Sequence, residues 1–228
     1  IYSNYRIGYY VSPNKIIMYS DLSDEIDYYD LVRVIMAIYN IKMIVDGYVR
    51  VHMALAKVDG KTFALVGDKE KGKTTFLLNM LNIGEKNCFM GANDKCYLKI
   101  NRNLQVYAKG SFEYMGIRNI TSKSFNGLLK MSQFRNTDML FFWPGEILEY
   151  FHADAMGKDR VDYWVLPDIN IAQESLHSRT EFLEKSYIND VLFNFSDANH
   201  MQWLVDQYLS YHNKFTIQYS QNKETLLN

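Results

Sequence analysis

The chain has 228 residues, of which 48% are hydrophobic, enough to fill a sizeable core in one globular domain. Its 25 lysines and arginines nearly cancel its 26 aspartates and glutamates. That balance argues against a nucleic-acid or membrane partner held by bulk charge, so an anionic ligand must be gripped locally. Two cysteines, Cys88 and Cys96, match neither a redox nor a zinc spacing and read as reduced thiols. The five histidines are scattered without ligand spacing. The longest apolar run, residues 31–45, contains Arg33 and Lys42 and is too short to span a bilayer. No signal peptide is visible, and a cytoplasmic protein is expected.

In chain order, residues 5–20 predict two short strands about the turn "SPN", because tyrosine, isoleucine and valine suit a pleated surface and Pro13-Asn14 suits a turn. Ser23 then reads as the N-cap of a helix, with Ile26, Leu31, Ile35 and Ile38 at helical spacing. Next, "YVRVHMALAKVDGKTFALVG" holds two strands joined by Asp59-Gly60, a hairpin signal. A helix is expected over 73–82. Beyond it, "CFMGANDKCYLKINRNLQVYAKG" reads as a strand, a polar break and a hairpin turning at "NRN". Residues 120–160 are ambiguous, with a helix in "SFNGLLKMSQF" and a polar loop in "HADAMGKDR". "VDYWVLPDINIA" predicts a strand that stops at Pro167, and helices are expected from about 180. The whole is expected to be a single α/β domain over 1–228: N-terminal strands and helix over 1–47, a nucleotide core over about 48–170, and C-terminal helices over 171–228.

The chemistry concentrates in "GDKEKGKT". Gly67, Asp68, Lys69, Glu70, Lys71, Gly72, Lys73 and Thr74 match the phosphate-binding pattern GxxxxGK[ST], with a strand before and a helix after. Glycines let the backbone curl so that amides face phosphate oxygens, and the helix start adds its positive dipole end. Lys73 reaches the β and γ phosphates, Thr74 offers an oxygen to Mg²⁺, and the cradle runs on to Thr75. ATP and Mg²⁺ are the ligands this loop predicts.

A second candidate is the pair Asn93-Asp94 at the end of an apolar strand. Its carboxylate could accept a hydroxyl proton or help hold Mg²⁺, or the pair could simply make a turn. His52 is the third candidate. Alternation places Val49, Val51, Met53 and Leu55 on one strand face and Arg50, His52, Ala54 and Ala56 on the other. Such a histidine serves either packing or a site.

Three pieces, "VHMALAKVDGKTFALVGDKEKGKTT", "FMGANDKCYL" and "FEYMGIRNI", together resemble the HPr kinase family, whose nucleotide core is similar to that of phosphoenolpyruvate carboxykinase. The likeness spans roughly residues 48–120. It implies a mixed β-sheet core and an ATP-dependent kinase acting on a hydroxyl acceptor, with His52 opening the first strand and Asp94 as general base. It also implies Glu113 near Mg²⁺, Arg118 near the phosphates, and self-association. Asn93 stands where the family carries an acidic residue. In size the chain is closer to the smaller HPr kinase-like enzymes, including those of peptide natural-product pathways. Two alternatives stay open: a nucleotide-binding regulatory or scaffold protein without turnover, and an NTP hydrolase of another class using Asp168.

Overall fold

The computed structural model describes residues 2–4, 7–12, 15–20, 35–36, 38–40, 42–43, 46–67, 70–84, 87–111, 113–125, 127–131, 134–135 and 139–167. Asp68, Lys69, Asp168, the helix start at Ser23 and the helices expected over 171–228 lie outside them. Where one domain is expected over 1–228, the chain's contacts group into two compact units. The described residues of the first lie within 2–49, and those of the second begin at Arg50.

In the first unit, β1 (Tyr2–Asn4), β2 (Ile7–Ser12) and β3 (Lys15–Ser20) form an antiparallel sheet in that order. The β2–β3 hairpin is the one predicted, closing at Ser12 opposite Lys15, where the Ser12 hydroxyl donates to the Lys15 carbonyl at 3.1 Å. β1 was not anticipated. Residues 35–36, 38–40 and 42–43 are helical. Gly47, with φ 86°, ends this stretch, and the Tyr48 amide donates back to the Met43 carbonyl at 3.0 Å.

The second unit is built on β4 (Val49–Val58) and β5 (Lys61–Val66), antiparallel with Val58 opposite Lys61. Asp59 and Gly60 both take positive φ, 47° and 76°, the geometry of the two-residue turn that matches strand twist. Around β4 lie β6 (Cys88–Ala92), β7 (Lys95–Ile100) and β8 (Val106–Gly110), with the turn at 101–105 as predicted. Short strands β12 (Asp154–Ala155), β13 (Asp159–Arg160) and β14 (Tyr163–Val165) complete an eight-stranded sheet. Most pairings are antiparallel, but β12 runs parallel to β6 and β14 parallel to β5. The fold is mixed α/β.

Helix α1 (Lys73–Ile83) follows β5 and buries Leu77, Leu78 and Leu81 completely. The 4-residue recurrence of Lys73, Leu77 and Leu81 keeps one stripe on the sheet, against Ala54, Ala56 and Leu65. Each such leucine contributes about 1.5–3 kcal/mol by leaving water. A second sheet, β10 (Phe134–Arg135), β11 (Met139–Phe142) and β9 (Met115–Arg118), supplies Met115, Ile117, Leu140 and Phe142 to the same core.

The ambiguous segment resolves into α2 (Asn119–Ser122), α3 (Leu128–Met131) and α4 (Pro144–Phe151). α3 is shorter than the expected helix, and the expected polar loop carries β12 and β13. α4, not foreseen, has proline in its first turn, and Glu146 Oε2 accepts from the Trp143 amide at 2.7 Å.

Candidate functional site

Between β5 and α1 three of the described residues take positive φ: 143° at Gly67, 71° at Glu70 and 93° at Gly72. Gly72 takes the N-cap position of α1, where it has no side chain to offer the first-turn amides, and no carboxylate lies in that turn. A helix start in this state presents N–H groups and the positive dipole end to an incoming anion.

Lys73 sits at the first position of α1, only 7% exposed, and its ammonium donates to the Gly67 carbonyl at 2.7 Å. The lysine thus folds back across its own loop. The Thr75 hydroxyl lies 3.2 Å from that of Thr121 in α2, tying α1 to the second sheet's flank. Thr74 is half-buried beside it. Arg118, at the end of β9, pairs with Glu70, which brings the arginine to the loop.

Asp94 lies in the break between β6 and β7, and its Oδ1 stands 3.3 Å from His52 Nδ1 on β4. These two residues, 42 positions apart, are therefore neighbours. Burial lowers the His52 pKa; Asp94 opposes that, while Lys73, Lys95 and Arg50 each push it further down. The imidazole accordingly stays neutral at pH 7. Beside Asp94, the Asn93 side-chain oxygen is buried with no hydrogen-bond partner.

Glu113 is held by the Lys95 ammonium and, at 3.2 Å, by the Ser111 hydroxyl. Its carboxylate oxygens are both engaged within the protein, so Glu113 serves here as the counter-ion of Lys95. Cys88 and Cys96 are buried thiols, not joined in a disulfide. Burial, with Asp94 adding to it, raises the Cys96 thiol well above its usual pKa, and the thiol donates to the Met53 carbonyl at 3.3 Å.

Magnesium favours hard oxygen donors and takes few protein ligands, completing its shell with water and phosphate. The donors present suit it: the Thr74 hydroxyl, the Asp94 carboxylate and the orphaned Asn93 oxygen. No cluster of three His, Cys, Asp or Glu residues suited to a metal exists among the described residues.

Sequence reasoning passed over Lys95, Thr121 and the role of Arg50. Strand alternation had already put Arg50 on the His52 face; the convergence of Lys95 on that histidine carries no local signal.

No protein-family model matches the chain, and no curated protein matches it. Among solved structures it is similar to the HPr(Ser) kinase/phosphatase from Coxiella burnetii, with 13% identity and a TM-score of 0.34, over 77% of this chain and 96% of that one. The overlap is too loose to transfer any residue's role. Among the described residues no helix is long and apolar enough to cross a membrane.

Proposed function

We propose that the protein is an ATP-dependent phosphotransferase that passes the γ-phosphoryl group to a hydroxyl acceptor. The observation that carries this reading is the Lys73 ammonium, folded onto the Gly67 carbonyl at the start of α1, where the N-cap is a glycine. Phosphoryl transfer depends mainly on positioning and charge stabilisation, which amides and one lysine can supply to a triphosphate. Lys73 exchanges its carbonyl contact for phosphate oxygens. Arg118 can leave Glu70 for the same charge, since both side chains are about half exposed.

Asp94 takes the acceptor's proton as the hydroxyl oxygen attacks, and neutral His52 beside it orients the carboxylate. Mg²⁺, when bound with the nucleotide, supplies neutralisation of the phosphate charge, and Thr74, Asp94 and Asn93 are the residues suited to hold it.

A regulatory protein that binds nucleotide without turnover is favoured by one observation: Glu113 is spent on Lys95, which leaves Asp94 as the acid of the Asn93-Asp94 pair without that second carboxylate. Two variants separate the readings. Lys73→Ala should weaken MgATP binding by roughly 10- to 100-fold, the loss of a charged contact. Asp94→Asn should leave binding nearly unchanged and cut transfer of labelled γ-phosphate to a screened acceptor set by about 10²- to 10⁴-fold. Undiminished ATP affinity in the lysine variant would remove both readings. Wild-type protein that binds ATP yet labels no acceptor supports the regulatory one.

A further inference from the structure

The neighbour of His52 on its own strand face, Arg50, presents a problem of charge. It is 8% exposed, its Nε is buried with no hydrogen-bond partner, and among the described residues no carboxylate pairs with it. A guanidinium stays protonated at any accessible pH. A guanidinium so little exposed is as a rule paired, and here its Nε–H is buried with no acceptor and no carboxylate among the described residues answers it.

The other two cations around His52 have partners: Lys73 donates to the Gly67 carbonyl, and Lys95 is paired with Glu113. Arg50 lies two residues from His52, about 7 Å along the strand, and its charge reaches the imidazole. Because β5 is antiparallel to β4 with Val66 opposite Met53, the loop leaves the sheet at the end where Arg50 stands. The unbalanced charge therefore belongs to the same end of the sheet as the loop and the His52–Asp94 pair.

We infer that Arg50 holds an oxyanion, phosphate or carboxylate, next to the His52–Asp94 pair, so that ligand binding supplies the counter-ion that the described residues do not. A planar fork of N–H donors is suited to two oxygens of one such group. The oxyanion has two possible sources, the nucleotide's terminal phosphate or an anionic group on the acceptor itself. Assigning it to either rests on the phosphotransferase reading; the oxyanion site does not.

Inorganic phosphate is the probe, titrated calorimetrically into the nucleotide-free protein, the MgADP form and the form loaded with a non-hydrolysable ATP analogue. Wild-type protein should bind phosphate in the MgADP form, and Arg50→Met should weaken that binding at least tenfold. Arg50→Lys, which keeps the charge but loses the fork, should fall between them. Exclusion of phosphate by the ATP analogue identifies the terminal phosphate as the source, and binding alongside the analogue identifies an acceptor anion. Free of ligand, Arg50→Met should unfold at or above the wild-type temperature, because it removes a little-exposed charge with no carboxylate partner among the described residues, and phosphate should raise the melting temperature of wild type but hardly that of Arg50→Met.

Equal phosphate affinity in wild type and both variants would overturn the inference. So would a methionine variant that melts well below wild type without phosphate, which would make Arg50 a structural residue. If wild-type protein binds no nucleotide, the phosphotransferase reading falls, while the titration of nucleotide-free protein still decides the role of Arg50.

Discussion

His52 shows how a single side chain records its surroundings. Burial and the charges of Lys73, Lys95 and Arg50 outweigh the carboxylate 3.3 Å away, so its pKa in the folded protein lies below the ordinary 6.5. In the unfolded chain the same histidine takes up its proton as pH falls through about 6.5. Between that value and the lowered folded one, the unfolded state binds more protons, so folding stability rises with pH there. The contribution is complete above pH 6.5 and is lost as the solution is acidified through the folded pKa. Urea unfolding at pH 7.5 and 5.5 should show a smaller acid-induced loss for His52→Gln than for wild type. A slope unchanged by the substitution would mean that His52 titrates normally. The identity of the residue and its strand face were legible in the alternation of residues 49–56, but the balance of forces on it was not, because three of the groups that set it come from β7, the first residue of α1 and the β6–β7 break.

Between elements, close backbone approach sets the limits. A Cβ added to Gly110 on β8 would lie 1.6 Å from the Gly91 carbonyl oxygen on β6. Backbone cannot rotate aside as a side chain can, so Gly110→Ala must part the strands, at a cost of more than about 3 kcal/mol in urea unfolding. Gly60→Ala is the contrast. Nothing lies within 4 Å of its added carbon, and only its φ of 76° opposes the change, at about 1 kcal/mol. Equal effects of the two substitutions would show that β6 and β8 do not meet as described. The Asp59-Gly60 turn could be read locally because its conformation is a property of those two residues. Strands β12 and β13, two residues each, could not: they exist only because β6 and β8 offer them partners. α4 was overlooked although its signals are local: Pro144 followed by Glu146 marks its start, and Ile147 and Phe151, four residues apart, form its buried face.

For the molecule as a whole, a ligand that binds only the folded form stabilises it by mass action. A non-hydrolysable ATP analogue with Mg²⁺ at a hundred times its dissociation constant should add about 2.7 kcal/mol to unfolding. Lys73→Ala, assayed at the same analogue concentration, should lose about 1.3 to 2.3 kcal/mol of that increment, for affinity lowered about 10- to 100-fold, which thermal unfolding will measure; an equal gain in both proteins would separate the stabilisation from the loop. The amino-acid sequence by itself determined the strand before residue 67, the helix from Lys73 and the two hairpins beside them. Those depend on residues within one or two turns of each other, where glycine conformation, hydrophobic period and charge act directly. Tertiary structure alone decided that the contacts group into two units, that Glu113 answers Lys95, and that Arg50 is buried on the strand of His52 with no carboxylate partner among the described residues. A sequence pattern states which face a side chain takes; only sheet register and packing state what stands opposite it.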